Sequence, residues 1–114
     1  MTPQEFIERL KTEPTTLDFE DTISTIEEHF TYVPVTFQNS ELTNNGGENE
    51  GSCKIFAFGQ IMQLSQQETL NCFGRFYRED VIKKPEGNDH ANIRQFMKSG
   101  WDGIKFSVPA LVKK

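Results

Sequence analysis

The sequence predicts a mainly helical α+β domain, with about five helices around a central buried helix over residues 53–64 and one or two short strands beside it. Apolar residues recur at steps of three and four in several segments, as on the buried face of a helix. Residues 53–64 are instead apolar on nearly every side, which is typical of a helix enclosed by its neighbours. The length of 114 residues predicts a single domain over residues 1–114.

The first two helices have local start signals. Thr2 and Glu5 have the spacing of a capping box, Pro3 suits the first helical turn, and Pro14 is expected to end the helix. Asp18 is expected to cap the second helix. The apolar face of this second helix carries Phe19, Ile23, Ile26 and Phe30.

Two short strands are predicted. Residues 32–37 are rich in aromatic and β-branched side chains, but Pro34 cannot donate to a neighbouring strand, which places this segment at a sheet edge. A polar loop over residues 38–52 follows and leads into the central helix. Residues 104–108 alternate between apolar and polar and form the second predicted strand, which could pair with residues 32–37.

The segment after the central helix predicts two further helices. Ser65 and Glu68 form another capping box, and the helix that they start is expected to run to the turn over residues 83–88. Asp89 is expected to cap the last helix, and Gly100 is expected to end it in a left-handed conformation.

Composition and charge exclude several classes of function. The net charge of −5 argues against general nucleic-acid binding. No run of about 18 apolar residues exists, so no membrane-spanning helix is expected. Residues 1–52 carry a charge of −9 and residues 53–114 a charge of +4, which we interpret as two halves of one domain that face each other. The expected partner is a protein or a small molecule, with no nucleic acid and no membrane.

Cys53 is the candidate nucleophile. It lies at the expected start of the central helix, where the helix dipole and the neighbouring Lys54 favour the thiolate. The alternative is a small buried residue, since free cysteine is among the most buried residue types. The other cysteine, Cys72, lies in an apolar helical pattern, and reduced thiols in a cytosol-like compartment are expected.

His90 is the candidate general base. It is expected in the first turn of the last helix, where the dipole keeps an imidazole neutral, and Asp89 or Asn88 could orient its ring. The alternative is a surface histidine at a helix start. Three tripeptides, at residues 51–53, 89–91 and 99–101, echo short pieces of papain-like cysteine proteases. The spacing from Cys53 to His90 is far shorter than in that family, so we infer no relationship to it.

The glycine-rich loop before Cys53 is the candidate binding loop, because loops of this length are often functional. Asn45 or Asn49 could stabilise an oxyanion if Cys53 were a nucleophile. The expected binding residues are Asn45, Gly46, Gly47, Glu48, Asn49, Gly51 and Ser52, together with Trp101.

No metal site and no cofactor are expected. Cys53, Cys72, His29 and His90 contain no close-spaced pair of the kind that zinc sites use. The glycine spacing of residues 46–51 resembles a phosphate-binding loop, but Ser and Cys stand where Lys and Ser or Thr are needed. An EF-hand is excluded because its twelfth position would be a phenylalanine.

Three blocks resemble the HopJ type III effector family: NNGGENEGSCKIFAFGQIMQLS (44–65), TLNCFGRFYREDV (69–81) and GNDHANIRQFMKSGWDGIKF (87–106). The resemblance covers about residues 3–108, with the blocks in order. It implies a small single-domain bacterial protein. The family takes its name from proteins that plant-pathogenic bacteria inject into host cells. No biochemical activity is established for it, so the resemblance implies no catalytic residues.

We therefore expect a HopJ-like protein of undetermined biochemical activity that works as a binding or interaction module. It is expected in the cytoplasm, or secreted through a type III system. The alternative is a thiol-dependent hydrolase or transferase with Cys53 as nucleophile and His90 as base. That alternative requires the Cys53 sulfur and a His90 ring nitrogen within roughly 4 Å of each other beside an open cleft.

Overall fold

Helix α3 (Glu50–Ile61) runs through the centre of the computed structural model, which describes residues 1–114. Its buried residues include Cys53, Ile55, Phe56 and Phe58. The other helices are α1 (Pro3–Thr12), α2 (Phe19–His29), α4 (Gln66–Asn71) and α5 (Ala91–Ser99). The predicted fold class, mainly helical with a few short strands around a central helix, is confirmed.

Five strands of three residues each complete the regular structure. They are β1 (Phe30–Tyr32), β2 (Phe37–Asn39), β3 (Leu42–Asn44), β4 (Ile104–Phe106) and β5 (Leu111–Lys113). β1 pairs with β5, and a separate antiparallel sheet has the order β3-β2-β4. Shorter turns are a 3₁₀ turn over Pro14–Thr16, a π-helical turn over Phe76–Val81 and a 3₁₀ turn over Gly100–Gly103.

The local start signals of α1, α2 and α4 are confirmed. Each helix begins with a complete capping box, formed by Thr2 with Glu5, by Asp18 with Asp21, and by Ser65 with Glu68. These signals are reliable because both partners lie within four residues of chain and need no tertiary contact.

The predicted strand over residues 32–37 is wrong. Tyr32 ends β1 and Phe37 begins β2, and these strands belong to different sheets. Pro34 lies between them, where it interrupts the pairing that a continuous strand would need. The polar loop predicted over residues 38–52 is shorter than expected, because the β2–β3 hairpin and the first turn of α3 lie within it.

The second predicted strand is confirmed in part. β4 ends at Phe106 and pairs with β2, so that Phe37 faces Phe106 and their rings stack at 5.3 Å between centroids. β5 was not predicted from the sequence. Its residues pair with β1 at the end of α2, and a strand of three residues is too short to show a period of two.

The helix predicted from Ser65 to the turn at residues 83–88 is broken. α4 ends at Asn71, Gly74 follows with φ +60°, and the π-helical turn begins at Phe76. The apolar residues that predicted one continuous stripe still face the core, because Leu70, Phe73 and Val81 are all buried. Tertiary contacts therefore use the same apolar residues with a different backbone.

The start of the last helix also differs from the prediction. Asp89 is not its cap: α5 begins at Ala91 after His90, which takes a left-handed conformation with φ +51° and makes no side-chain cap. Gly100 ends α5 with φ +58°, as predicted from its freedom at positive φ, although its ψ of −150° is not that of a left-handed helix.

The acidic and basic halves of the chain face each other, as the charge distribution predicted. Lys54 Nζ lies 3.2 Å from Glu27, and Arg75 Nη1 lies 2.7 Å from Glu20 and 3.0 Å from Asp18. Because these pairs are partly exposed to solvent, which screens their attraction, they add little to the stability of the fold. They orient the two halves more than they stabilise them.

Candidate functional site

A pocket of about 420 Å³ opens where the start of α3 meets the start of α5. Its walls come from parts of the chain that are distant in sequence. They are Phe19 from α2, Leu42, Thr43 and Asn44 from β3, Asn49, Gly51 and Ser52 from the start of α3, Phe73 and Phe76 around the π-helical turn, and His90, Ala91, Asn92 and Ile93 from the start of α5.

The two helix starts at this pocket are built alike. Asn49 precedes α3 with φ +50° and His90 precedes α5 with φ +51°, and neither side chain caps its helix. The other three α-helices are all capped by side chains. The first-turn amides of α3 and α5 are consequently not engaged by a cap, and hydrogen-bond donors are available on two sides of the pocket.

Three asparagines, Asn44, Asn49 and Asn92, line the pocket, and the buried Asn39 joins their hydrogen-bond network. The amides of Asn44 and Asn92 bond to each other in both directions, at 2.9 and 3.2 Å. Asn39 Nδ2 donates to Asn92 Oδ1 at 3.1 Å, and Asn49 Nδ2 donates to Asn44 Oδ1 at 2.7 Å. Since Asn39, Asn44 and Asn92 are buried, this network fixes the β2–β3 hairpin against the starts of both helices.

Aromatic rings also line the pocket. Phe19 and Phe76 meet edge to face with 5.0 Å between centroids, and the His90 ring lies 5.1 Å from that of Phe76, tilted by 30°. Gly51 allows this approach, because a Cβ there would lie 2.7 Å from the Phe19 ring. The pocket therefore combines a hydrophobic side with a side rich in hydrogen-bond donors.

His90 is held by a carboxylate, but not by the one predicted. Its Nε2 lies 3.0 Å from Asp80 Oδ2 and 3.9 Å from Asp89 Oδ2. Asp89 instead pairs through Oδ1 with Arg94 Nη2 at 2.6 Å, and this hydrogen bond lowers the pKa of the Asp89 carboxyl. The orienting residue predicted as Asp89 or Asn88 is thus Asp80, which the π-helical turn presents to the ring.

The structure does not bring Cys53 and His90 together at an open cleft. Cys53 is 1% exposed and does not line the pocket, whereas His90 does. Burial raises the pKa of the Cys53 thiol, although its position near a helix start predicted a lowered pKa. Desolvation outweighs the charge of Lys54 at this position, so the geometry fits the alternative of a small buried residue.

Both cysteines are expected to resist alkylation in the folded protein. Cys72 is fully buried as well, so iodoacetamide reaches either sulfur only after local or global opening. We expect native alkylation at least about a hundredfold slower than in concentrated guanidinium chloride, because even a local opening that costs only about 3 kcal/mol slows it by that factor. Mass spectrometry of timed samples measures both rates. Equal rates of Cys53 alkylation in the native and denatured protein would support the hypothesis of a thiol-dependent enzyme.

The predicted binding loop divides between two places. Asn49, Gly51 and Ser52 line the pocket. Residues 45–48 form a separate exposed turn, in which Asn45 N donates to Glu48 Oε1 at 2.8 Å and Glu48 N donates to Asn45 O at 2.8 Å. Gly46 and Gly47 lie inside that turn, and none of the four lines the pocket.

Trp101 lies in the 3₁₀ turn after α5 and packs against the core. Its ring centroid is 5.1 Å from that of Phe96, and its Nε1 donates to Leu64 O at 2.9 Å. It does not line the pocket. Gly59 of α3 makes room for it, because a Cβ there would lie 2.8 Å from the indole.

Several residues of this site have no sequence signal. Asp80 is ten residues from His90, and nothing in a helical pattern predicts that a π-helical turn and a glycine-containing turn bring the two side chains together. The buried asparagines Asn39, Asn44 and Asn92 are ordinary polar residues in sequence and become a network only through the hairpin.

No helix of the chain is both long enough and apolar enough to cross a membrane. A family model described as HopJ type III effector protein matches residues 3–111, nearly the whole chain. A solved structure described as "Crystal structure of unknown function protein VPA0580" is 49% identical and superposes with a TM-score of 0.98. The match covers 100% of this chain and 95% of that one. Among curated proteins no match is found.

Proposed function

Since the chain belongs to the HopJ type III effector protein family, we propose that it is a binding module whose pocket between the starts of α3 and α5 holds a small molecule. The ligand class is a planar aromatic group that carries a hydrogen-bond acceptor. The main support for this ligand class is that aromatic rings, asparagine side chains and uncapped helix starts all line the same pocket.

Each wall supports one feature of that ligand. Phe19, Phe73 and Phe76 present apolar surface on which a flat ring packs favourably. Backbone amides in the first turns of α3 and α5 have no side-chain cap, so they are donors without a side-chain acceptor. A volume of about 420 Å³ falls in the range of small-molecule sites.

Hydrogen bonds fix the asparagine side of the pocket before a ligand binds, which favours binding. The bonds among Asn44, Asn49 and Asn92 hold β3 and both helix starts in one arrangement. A preformed site loses little conformational entropy on binding, so more of the contact energy appears as affinity. The alternative of a thiol-dependent hydrolase or transferase has no comparable support, because Cys53 is buried and its sulfur does not reach the pocket.

The family description suggests where the module acts. A type III effector is delivered through a secretion system. We propose that this protein is exported by that route from the cytoplasm of the producing cell into a host cell. The pocket's chemistry is independent of that destination, so ligand binding by the purified protein does not depend on it.

Benzamide is a suitable probe because it joins one ring to one amide acceptor. We expect a dissociation constant in the millimolar range, about −4 kcal/mol, and acetamide to bind at least about tenfold more weakly because it lacks the ring. Titration followed by ¹H–¹⁵N correlation spectra should shift the amides of residues 51–52 and 91–93. Shifts scattered over the surface would contradict a defined site.

Ala91→Trp tests the location. Ala91 is exposed at the pocket, so the indole should occupy part of it and weaken benzamide binding at least about tenfold without disturbing the core. Lys98→Trp is the matched control, an exposed position on the same helix that does not line the pocket. Unchanged binding in Ala91→Trp, or an equal loss in both variants, would place the ligand elsewhere.

A further inference from the structure

We propose that Asp80, Asp89 and His90 form a binding site for a divalent transition-metal ion, with Zn²⁺ as the preferred probe. One ligand atom from each side chain lies within 4.8 Å of the other two. The inference goes beyond the aromatic pocket, because binding of the ion requires no pocket ligand. The expectation of no metal site weighed the cysteines, the histidines and an EF-hand in the polar loop, and did not include these two carboxylates.

The distances are close to those that a bound ion imposes. His90 Nε2 is 3.0 Å from Asp80 Oδ2 and 3.9 Å from Asp89 Oδ2. Two ligand atoms that are each about 2.1 Å from a tetrahedral Zn²⁺ lie roughly 3.4 Å apart. Rotation of the Asp80 and Asp89 side chains, which are 39% and 52% exposed, would bring these two distances and the one between the carboxylates, at most 4.8 Å, towards that value. The ion takes the place of the Nε2 proton, and the neutral ring then carries its proton on Nδ1.

Arg94 holds the site in shape. Its Nη2 donates to Asp89 Oδ1 and leaves Asp89 Oδ2 directed at His90, while its Nη1 donates to Lys84 O at 2.8 Å and its Nη2 to Asp80 O at 3.3 Å. The Arg94 side chain is only 14% exposed. Hydrogen bonds of this kind to a ligating carboxylate orient metal ligands in many proteins.

The ligand set decides which ions fit. One imidazole favours transition metals over Mg²⁺ and Ca²⁺, which prefer six or more oxygen ligands. Three protein ligands leave at least one coordination position open, and His90 also lines the pocket, so the ion lies at the pocket's edge. The nearby charge of Arg94 opposes a cation, so we expect a dissociation constant on the order of micromolar rather than nanomolar.

Calorimetric titration of the full chain with zinc chloride tests the site. We expect one ion per chain, at least about tenfold weaker binding in Asp80→Asn and His90→Asn, and at least about a hundredfold weaker binding of Mg²⁺ to the unchanged protein. Asp80→Asn preserves the shape of the side chain at position 80. In His90→Asn, the new asparagine tolerates the positive φ of position 90. If His90→Asn fails to fold, Asp80→Asn decides the outcome alone, because Asp80 is partly exposed and lies outside the hydrophobic core.

His29→Asn is the matched control. His29 is the other histidine of the chain and lies 3.8 Å from one carboxylate, that of Glu28, without a second acidic ligand. Its loss should leave zinc affinity within about twofold of that of the unchanged protein, because it supplies no ligand to the site. Paramagnetic broadening by Co²⁺ gives a second readout and should be centred on residues 80, 89 and 90.

Three results would overturn the site. The first is no zinc binding by folded protein at millimolar concentration. The second is zinc binding that survives both Asp80→Asn and His90→Asn. The third is broadening centred on His29 or spread over the acidic surface of residues 1–52. Each result is independent of benzamide binding, so the metal site and the aromatic pocket can fail separately.

Discussion

Phe56→Ala is expected to lower the free energy of unfolding by about 3–5 kcal/mol, the cost of removing a large buried aromatic side chain. Phe56 is 0% exposed and lies at the middle of α3. Its ring centroid lies 4.9 Å from Phe96, 5.7 Å from Phe73, 5.9 Å from Phe37 and 6.4 Å from Trp101. One ring thus joins α3 to β2, to α5 and to the turns that flank α4 and α5.

The expected loss is a large part of the stability of a domain this size, which is about 5–15 kcal/mol. Urea unfolding followed by circular dichroism measures it as a fall in the midpoint with an unchanged slope. Ile61→Ala is the matched control, since Ile61 lies on the same helix but is 48% exposed, and it should cost less than about 1 kcal/mol. Similar losses in both variants would show that Phe56 is not the central packing residue.

Gly74→Ala is expected to cost about 2–4 kcal/mol for two separate reasons, a strained backbone and overpacking. Gly74 has φ +60°, a conformation that costs alanine about 1 kcal/mol. A Cβ there would also lie 2.5 Å from Phe19 N and 2.8 Å from Asp18 Cα. These are backbone atoms at the start of α2, so the clash cannot be relieved by turning a side chain.

The same junction supports the pocket. Asp18 Oδ1 accepts hydrogen bonds from Phe19 N and from Arg75 N, both at 2.9 Å, and thereby fixes α2 to the chain after α4. Phe19, Phe73 and Phe76, the aromatic wall, lie on either side of this junction. We therefore expect Gly74→Ala to weaken benzamide binding as well as stability.

Gly47→Ala separates the two causes. Gly47 has φ +91°, but a Cβ there would meet nothing within 4 Å, so only the conformational cost of about 1 kcal/mol applies. The difference between the two variants, in urea unfolding under the same conditions, measures the clash at the α2 start. Losses that are equal within error would mean that the start of α2 yields freely to the added Cβ, and the clash would then contribute nothing.

Much of the helical structure could be predicted from local sequence. The capping boxes of α1, α2 and α4 depend on residues three apart, and the burial of α3 follows from its nearly continuous apolar composition. The strands could not be predicted in the same way. Three-residue strands carry almost no periodic signal, and the pairing of β1 with β5 joins the end of α2 to the end of the chain.

The sequence predicted where several residues of the candidate site lie in the helices and the loop, but not which of their side chains interact. The sequence placed Cys53 and His90 near helix starts and identified a polar loop with Asn49, Gly51 and Ser52. It did not show that Cys53 points into the core, because a position in the first turn of a helix does not determine which side chains face inward. It also paired His90 with Asp89, its neighbour in the chain, whereas the nearer carboxylate belongs to Asp80.

The sequence by itself determined the caps of α1, α2 and α4, the buried central helix, the facing of the two charged halves and the family. Only the tertiary structure decided that the starts of α3 and α5 share one pocket, that three asparagines line it, and that Asp80 and Asp89 both approach His90. The reason is physical. Caps and apolar faces arise from residues within one or two helical turns, whereas the pocket arises where Gly74 and the β2–β3 hairpin allow distant backbones to meet.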